Sequence, residues 1–181
     1  MTNRLFVSFD LPEETLEFVT NKRDEIYGIP NDVKWEPDEK LHITSKFFGD
    51  VGDYLTELIL DRFENLNLQS VKCEFSEFNF FKKNNEFKVL YVGIKNNSKL
   101  LKIQTLVENE CSLLGFEKEN RTFKPHLTIL RLKGNEDFEK LNKFVNIKIE
   151  QSFEINTFSL VKSELKPSGS EYKILKSFKM K

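Results

Sequence analysis

The chain has 181 residues, enough for one domain of ordinary size or two small lobes that share a core. Its 28 Lys and Arg residues are balanced by 29 Asp and Glu residues, so the net charge of −1 gives no support to a general polyanion-binding surface. No segment approaches the ~20 apolar residues that span a bilayer, and the apolar run at the start is too short for a signal peptide. We therefore expect a cytoplasmic protein that does not associate with membranes.

The predicted elements of the first half follow from its turn residues and its hydrophobic periodicity. Pro12 and two acidic residues after it indicate a helix start, and Gly28 and Pro30 are predicted to end that helix. We predict a strand at Arg4–Phe9 and then a helix that ends at about Ile26, with Leu16, Val19 and Ile26 among its inward positions. An extended segment at Val33–Glu36 leads to a strand at Leu41–Phe48 and a helix at Tyr54–Leu66. The first half closes with a hairpin, in which Val71–Phe81 pairs with Lys88–Ile94 across the polar turn 82–85.

The second half begins with a helix that Ser98 is predicted to cap and Gly115 to close. Its apolar stripe consists of Leu100, Ile103, Val107, Cys111 and Leu114. Pro125 precedes a strand that contains His126, and because proline cannot donate to a ladder, that strand is predicted to begin at a sheet edge or a bulge. A short helix at Glu136–Phe144 is then followed by strands at Ile147–Ile155, Phe158–Glu164 and Tyr172–Phe178, the last two joined across Pro167, Ser168 and Gly169.

The cysteines, Cys73 and Cys111, lie far apart and have no paired spacing. This argues against a zinc ribbon, a redox motif and a secreted disulfide scaffold. Cys73 alternates with apolar residues and Cys111 belongs to a helical stripe, so both are predicted to be buried thiols. With no linker rich in proline, glycine or serine, we predict one α+β domain over residues 1–181, built as two lobes.

The two histidines of the chain occur in matching contexts. His42 is followed by Thr44, and His126 is followed by Thr128. With nine threonines in the chain, the chance that both histidines have a threonine two places on is roughly one in 400, which is a low false-positive risk for a motif.

Both motifs are predicted to lie on strands, so each histidine and its threonine project from one face. Strict alternation places His42, Thr44, Lys46 and Phe48 on one face of the first motif strand. Both motifs also lie in basic stretches, which modestly favours an anionic ligand. These basic residues are Lys34, Lys40, Lys46, Lys118, Arg121, Lys124, Arg131 and Lys133.

Two imidazoles on opposite sides of one substrate provide a base and an acid near neutral pH. A displacement at phosphorus needs both, because one proton leaves the incoming oxygen and another reaches the departing oxygen. The threonine hydroxyls can donate hydrogen bonds to non-bridging phosphate oxygens, and Arg or Lys can add charge. A metal site is a weaker hypothesis, because two histidines without nearby carboxylates or cysteines fall short of the usual three or four ligands.

The motif residues resemble those of the 2H phosphoesterase superfamily, at Leu41–Gly49 and at Arg121–Arg131. The opening Arg4–Pro12 and the tail Leu160–Leu165 with Tyr172 resemble its RNA 2′,3′-cyclic phosphodiesterase branch, also called 2′-5′ RNA ligase-like. This resemblance implies a bilobal α+β fold, with two pseudo-symmetric lobes of antiparallel sheet, helices outside and a central cleft. It also implies chemistry without a metal or cofactor on RNA or nucleotide ends that carry a 2′,3′-cyclic phosphate.

Carried onto this chain, the resemblance makes His42 the proton donor to the leaving 3′ oxygen and His126 the base that activates water. Thr44 and Thr128 would hold the phosphate, and the product would be a 2′-phosphate. Arg131 matches a basic position of the branch, although strict alternation would turn it away from His126, so its role requires a bulge or a twist. Ser45 stands where relatives usually have an apolar residue.

Several alternatives stay open at this point. Trp35 and Phe123 could stack on a base or pack in the core. The enzyme could instead join ends through a 2′-5′ bond, or belong to another branch that cuts 2′-5′ oligonucleotides or another cyclic phosphate. A non-catalytic module that binds RNA ends is an alternative from a different functional class. The two histidine-threonine pairs favour an enzyme over such a module, because Lys or Arg would be sufficient for binding alone. We expect a monomer.

Overall fold

The computed structural model describes residues 2–28, 33–167 and 169–181. Within these residues, an α+β fold is formed by an eight-stranded sheet and four helices. The strands are β1 (Thr2–Phe9), β2 (Ile43–Gly52), β3 (Val71–Lys83), β4 (Glu86–Ile94), β5 (His126–Arg131), β6 (Ser152–Ile155), β7 (Thr157–Lys166) and β8 (Gly169–Lys179). The helices are α1 (Glu13–Tyr27), α2 (Asp53–Glu64), α3 (Ser98–Leu113) and α4 (Phe138–Asn142), with a 3-10 turn at Asp38–Lys40.

The sheet has the strand order β6-β3-β4-β5-β2-β1-β7-β8, and its paired strands run antiparallel. It divides into two halves of four strands, with β5 and β2 meeting at the seam. In the described residues these two strands are paired at a single register position, Ile43 with Leu127. The predicted two-lobed antiparallel fold is confirmed, and both histidine motifs lie at the seam between the halves.

The core is rich in phenylalanine, and ten of the 18 phenylalanines are buried. They form edge-to-face and stacked pairs, such as Phe63 with Phe158 at 5.6 Å between ring centroids. Helix α2 packs on β1, β2 and β8, and helix α3 packs on β2 and β3. Phe18, Phe47 and Phe138 are the phenylalanines with large exposed surfaces, so core packing does not explain them.

Most predicted elements are confirmed, with boundary shifts of a few residues that are ordinary for sequence-based assignment. The hairpin turn is shorter than the predicted turn at 82–85 and consists of Asn84 and Asn85. Both residues have positive φ, as a two-residue hairpin turn requires. The strand predicted at Ile147–Ile155 is wrong in length, because β6 covers only Ser152–Ile155. Pro30, predicted to help end the first helix, and Ser168, predicted to lie in the connection between the last two strands, are outside the described residues.

Two predictions about local geometry are wrong. The cap of α3 is Asn97 rather than Ser98, because the Asn97 side chain accepts from the backbone N–H groups of Lys99 and Leu100. The prediction that β5 begins at a sheet edge or a bulge is wrong, since β5 lies between β4 and β2 and pairs with β4 in regular register from His126 to Thr128. The missing N–H of Pro125 is tolerated because this residue lies just before the strand, where its carbonyl accepts from Ile94 N at 3.1 Å.

A β-bulge in β2 overturns the predicted alternation of this strand. Lys46 pairs with Val7 and Thr44 pairs with Ser8, so Ser45 is the extra residue. Ser45 and Lys46 are therefore both buried, and Lys46 leaves the face of His42. Lys46 Nζ instead lies 2.9 Å from Glu108 Oε2 on α3.

The predicted burial of both cysteines is confirmed. Cys73 and Cys111 are free thiols in the core. Burial raises the pKa of Cys73 to about 11 and that of Cys111 to about 12, so both are protonated at neutral pH. Among the described residues, no helix combines the length and the apolar composition that crossing a bilayer requires.

Candidate active site

A pocket opens at the seam between β2 and β5, and it brings both motifs together. Because the strands are antiparallel and pair at Ile43 and Leu127, Thr44 lies across from His126 and Thr128 lies across from His42. The seam therefore has an approximate two-fold arrangement of histidines and threonines. The residues that line this pocket are Glu36, Lys40, His42, Thr44, His126, Thr128, Arg131 and Tyr172.

The two imidazoles are held in the same way by the backbone. His42 Nδ1 donates to the carbonyl oxygen of Lys40 at 2.7 Å, and His126 Nδ1 donates to the carbonyl oxygen of Lys124 at 2.8 Å. In each case the carbonyl belongs to the residue two positions earlier. Since a carbonyl only accepts, this bond places the proton on Nδ1 in the neutral ring and leaves Nε2 free to exchange a proton.

Each imidazole is also flanked by aromatic rings from neighbouring strands. The His42 ring stacks on Phe6 at 4.8 Å between centroids and meets Tyr172 edge-on at 5.5 Å. The His126 ring meets Phe81 at 4.8 Å and Tyr91 at 5.6 Å, both edge-on. These four rings fix the orientation of the imidazoles and exclude water from one side of them.

This burial lowers the pKa of both histidines. The pKa of His42 falls from 6.5 to about 4, mainly because of desolvation, and the pKa of His126 is lowered for the same reason. The positive charge of Arg131 lowers both further, while the backbone carbonyl at each Nδ1 opposes the shift. Both imidazoles are therefore neutral at pH 7 in the ligand-free protein.

The threonines lie beside the imidazoles, as the motif spacing predicts. Thr44 Oγ1 is 3.1 Å from His42 Nε2, and with the His42 proton on Nδ1 the hydroxyl is the donor. Thr44 is exposed and Thr128 is half-buried, so both hydroxyls are open to the pocket. A phosphate between the strands can accept from the Thr128 hydroxyl, and from the Thr44 hydroxyl once His42 Nε2 is protonated and no longer accepts from it.

Arg131 reaches the same pocket because β5 contains a bulge. Leu130 pairs with Leu90 and Thr128 pairs with Tyr91, so Ile129 is the extra residue. Ile129 and Leu130 are both buried, and Arg131 returns to the face of His126 and Thr128. β5 thus contains the bulge that a role for Arg131 in this pocket requires.

Three further residues of the pocket were not predicted as site residues: Glu36, Lys40 and Tyr172. Glu36 Oε1 lies 3.5 Å from Arg131 Nε, and the Glu36 backbone N–H donates to the Ile129 carbonyl at the bulge. Lys40 Nζ donates to the Ser170 carbonyl at 2.6 Å. No motif in the sequence marks these three residues as part of a site. Lys40 belongs to the basic stretch around His42, and Tyr172 belongs to the tail that resembles the phosphodiesterase branch.

The two candidate stacking residues have different surroundings. Trp35 packs edge-on against Tyr27 at 5.1 Å, and the guanidinium of Arg23 lies over its ring. Trp35 does not line the histidine pocket, so these contacts favour a packing role. Phe123 is half-buried and lines a larger groove next to His126.

The predicted basic surroundings are only partly present at the site. Lys40 and Arg131 line the histidine pocket, and Arg121 and Lys124 line the adjoining groove. Lys46 is buried, and Lys118 Nζ is bonded to Asn109 Oδ1. Within the described ranges, no group of three or more His, Cys, Asp or Glu side chains is arranged to hold a metal ion.

Sequence comparison places the chain among known proteins. A sequence model of the 2′-5′ RNA ligase superfamily matches residues 25–167. A Methanocaldococcus jannaschii protein named RNA 2′,3′-cyclic phosphodiesterase is 32% identical over 179 residues, covering 97% of this chain and 99% of that protein. A Methanothermobacter thermautotrophicus protein of the same name is 30% identical over 190 residues, covering 99% and 100%.

Solved structures agree on the fold. A Thermus thermophilus protein has a TM-score of 0.83 at 22% identity, covering 98% of this chain and 97% of that chain. E. coli LigT in complex with 3′-AMP has a TM-score of 0.79 at 19% identity, covering 99% of both chains. The chain therefore belongs to the 2′-5′ RNA ligase superfamily of 2H phosphoesterases, in the branch whose members are named RNA 2′,3′-cyclic phosphodiesterase.

Proposed function

We propose that this chain hydrolyses the 2′,3′-cyclic phosphate at the end of an RNA or a nucleotide to a 2′-phosphate, by paired histidine acid/base catalysis. The observation that carries the proposal is the matched pair of imidazoles. Each has its Nδ1 bonded to a backbone carbonyl, and both rings line one pocket at the seam. The names of the relatives support the substrate class.

In this mechanism, His126 Nε2 takes a proton from water as the water oxygen forms a bond to phosphorus. The bond from phosphorus to the 3′ oxygen breaks, and His42 Nε2 delivers its proton to that oxygen. The 2′ oxygen keeps the phosphate. The two imidazoles supply both proton transfers, so the mechanism needs no metal ion.

The protonation of His42 depends on the substrate. With a pKa of about 4, the His42 imidazolium is a stronger acid than an ordinary imidazolium, but little of it is present at pH 7 in the free protein. A phosphate anion bound beside the ring favours the charged form and raises the pKa. Substrate binding therefore supplies the proton donor in the complex where it is used.

Thr44, Thr128 and Arg131 would stabilise the charge on the non-bridging oxygens. The threonine hydroxyls donate from the two strands, and the guanidinium of Arg131 adds positive charge at one end of the pocket. Glu36 holds Arg131 in place through its contact at 3.5 Å. We also treat residues 1–181 as a single domain of two lobes, since one sheet runs through both halves.

The same site can also join two RNA ends. If a 5′-hydroxyl of RNA replaces water as the attacking group, the product is a 2′-5′ bond. The acid and base exchange protons in the same positions, so ligation requires no further residue. We propose hydrolysis, rather than ligation, as the main activity.

The experiment uses purified protein treated with EDTA. It is incubated with a nucleoside 2′,3′-cyclic phosphate and with a short RNA that ends in one, and the 2′- and 3′-phosphate products are separated. We expect release of the 2′-phosphate, and loss of that activity in His42→Ala and His126→Ala. A 3′-phosphate product would reverse the assignment of the leaving oxygen, and no turnover of either substrate would contradict the proposed function.

A further inference from the structure

Phe47 is an exposed aromatic residue next to the histidine pocket. It is 43% exposed on β2, in a chain whose phenylalanines are mostly buried. The bulge at Ser45 places two buried residues in succession, so Phe47 rather than Lys46 projects on the side of Thr44. The guanidinium of Arg4 lies 4.7 Å from the ring centroid, which holds the ring and places a positive charge beside it.

Phe47 corresponds to Arg131 in the other half of the site. Each lies five residues after its motif histidine, and each follows a bulge in its strand. The histidines, the threonines and the bulges are alike in the two halves, but one strand supplies a guanidinium where the other supplies a ring. This difference suits a ligand with an anionic group at one end and an aromatic ring at the other.

The two ends of the seam also differ in shape. At the Arg131 end, Glu36, Lys40 and Tyr172 surround the guanidinium. At the Phe47 end, a groove of about 700 Å³ continues from Thr44 and His126. That volume lies within the range of pockets that bind small organic ligands, so the body of the substrate has room at this end.

The charges around this groove complement a nucleic-acid backbone. Lys124 lines the groove and is exposed, and it makes no ion pair within the described part of the chain. Arg121 is 91% exposed, with Glu119, the acidic residue of the groove, 3.7 Å away. Aromatic rings beside scattered positive charge are the arrangement by which proteins bind single strands, because every base can stack.

We propose that this groove binds the RNA strand on the 5′ side of the reacting nucleotide, with one base stacked on Phe47. The inference rests on the proposed function, since it takes the cyclic phosphate to lie between the histidines. Thr44 and Phe47 pair with Ser8 and Phe6, which are two residues apart on β1, so Phe47 lies about 7 Å beyond Thr44 along the strand at the usual rise per residue. The ring is thereby displaced from the histidines along the groove, where it stacks on the base that precedes the reacting nucleotide, so RNA should be preferred over a mononucleotide that lacks this base.

The test compares kcat/KM for a short RNA and for a nucleoside 2′,3′-cyclic phosphate with the same terminal base. In the unmodified protein the RNA should be the better substrate. Phe47→Ala should lower the ratio of RNA to mononucleotide by about 5- to 150-fold, the usual effect of removing one stacking ring. Phe47→Trp should retain the ratio.

Two controls separate stacking from loss of structure. Phe18→Ala removes a phenylalanine of similar exposure, 37%, from α1 and should leave the ratio unchanged. Phe47→Leu keeps an apolar side chain in β2 without a ring, and should lower the ratio as Phe47→Ala does. Equal ratios for Phe47→Leu and the unmodified protein would overturn the proposal, as would equal kcat/KM for the two substrates in the unmodified protein.

These outcomes differ from failure of the proposed function, in which the unmodified protein hydrolyses neither substrate. In that case fluorescence anisotropy with a labelled RNA ending in a 2′-phosphate decides the inference. Weaker binding by Phe47→Leu but not by Phe18→Ala would support the groove as an RNA site. Equal binding by all three proteins would overturn it.

Discussion

Glu36 and Arg131 are held against each other at the seam by two contacts at once. The Glu36 carboxylate lies 3.5 Å from Arg131 Nε, and the Glu36 backbone N–H donates to the Ile129 carbonyl within the bulge that turns Arg131 into the pocket. The segment before β2 is thereby tied to β5, which belongs to the other half of the sheet. This tie determines where positive charge stands relative to both histidines.

Replacing Arg131 tests that relationship directly. Because the charge of Arg131 lowers the pKa of His42 and of His126, Arg131→Gln should raise both pKa values, as measured by NMR titration of the ring protons. It should also lower kcat/KM by about 10- to 150-fold, the usual range for a hydrogen bond to a charged group. Lys88→Gln is the control, since it removes a cation that pairs with Glu86 on β4. Unchanged histidine titrations in Arg131→Gln would show that the guanidinium does not act on the rings.

The catalytic roles predict the effect of removing each imidazole. His42→Ala and His126→Ala should each lower kcat by about 10²- to 10⁴-fold, since each removes one general acid or base. The double variant should lose little more than either single variant, because the two groups act in one step. Far-ultraviolet circular dichroism should be unchanged. A single variant that kept full activity would assign its histidine a structural role.

The pH dependence of kcat/KM follows from the lowered pKa values. Hydrolysis needs one imidazole neutral and one protonated, so kcat/KM should be bell-shaped. Since burial lowers both pKa values from 6.5, the maximum should lie on the acid side of pH 6.5. A bound phosphate favours the imidazolium form, so the profile of kcat should be displaced to higher pH.

Steady-state kinetics between pH 4 and 9, with and without EDTA, measure both profiles. We expect identical curves in the presence and absence of the chelator. A single ascending limb would argue against paired acid and base, and loss of activity in EDTA would argue for a metal ion in the mechanism.

A buried ion pair beside the site predicts a large effect on stability. The Lys46 side chain is 3% exposed and that of Glu108 is 8% exposed. Lys46→Met should lower the free energy of unfolding by about 3–5 kcal/mol, because it leaves the Glu108 carboxylate buried and unpaired. Lys46→Met with Glu108→Leu should recover much of that loss. Urea denaturation measures the stability of the unmodified protein, of Lys46→Met and of the double variant. If Lys46→Met were as stable as the unmodified protein, that result would contradict the burial of this pair.

The histidine-threonine motifs show how far local sequence information extends. Their spacing predicts a histidine and a threonine on one strand face, and β2 and β5 confirm this placement up to Thr44 and Thr128. Beyond those residues the alternation fails in both strands. Each bulge is a mismatch of register with a neighbouring strand, at Ser45 against β1 and at Ile129 against β4. The sequence of one strand does not show how it will be aligned with its partner, so neither bulge could be predicted from the motif itself.

The sequence by itself determined the family, the order of strands and helices, the buried cysteines and the four motif residues, because these depend on periodicity and residue identity over short stretches. The tertiary structure decided which charges reach the pocket. It buries Lys46 against Glu108, turns Arg131 and Phe47 to the face of the motif threonines, and brings Glu36 from before β2 and Tyr172 from β8 to the seam. The physical reason is that strand register and packing between halves of the sheet are long-range properties, and one extra residue in a strand reverses the face of those that follow it.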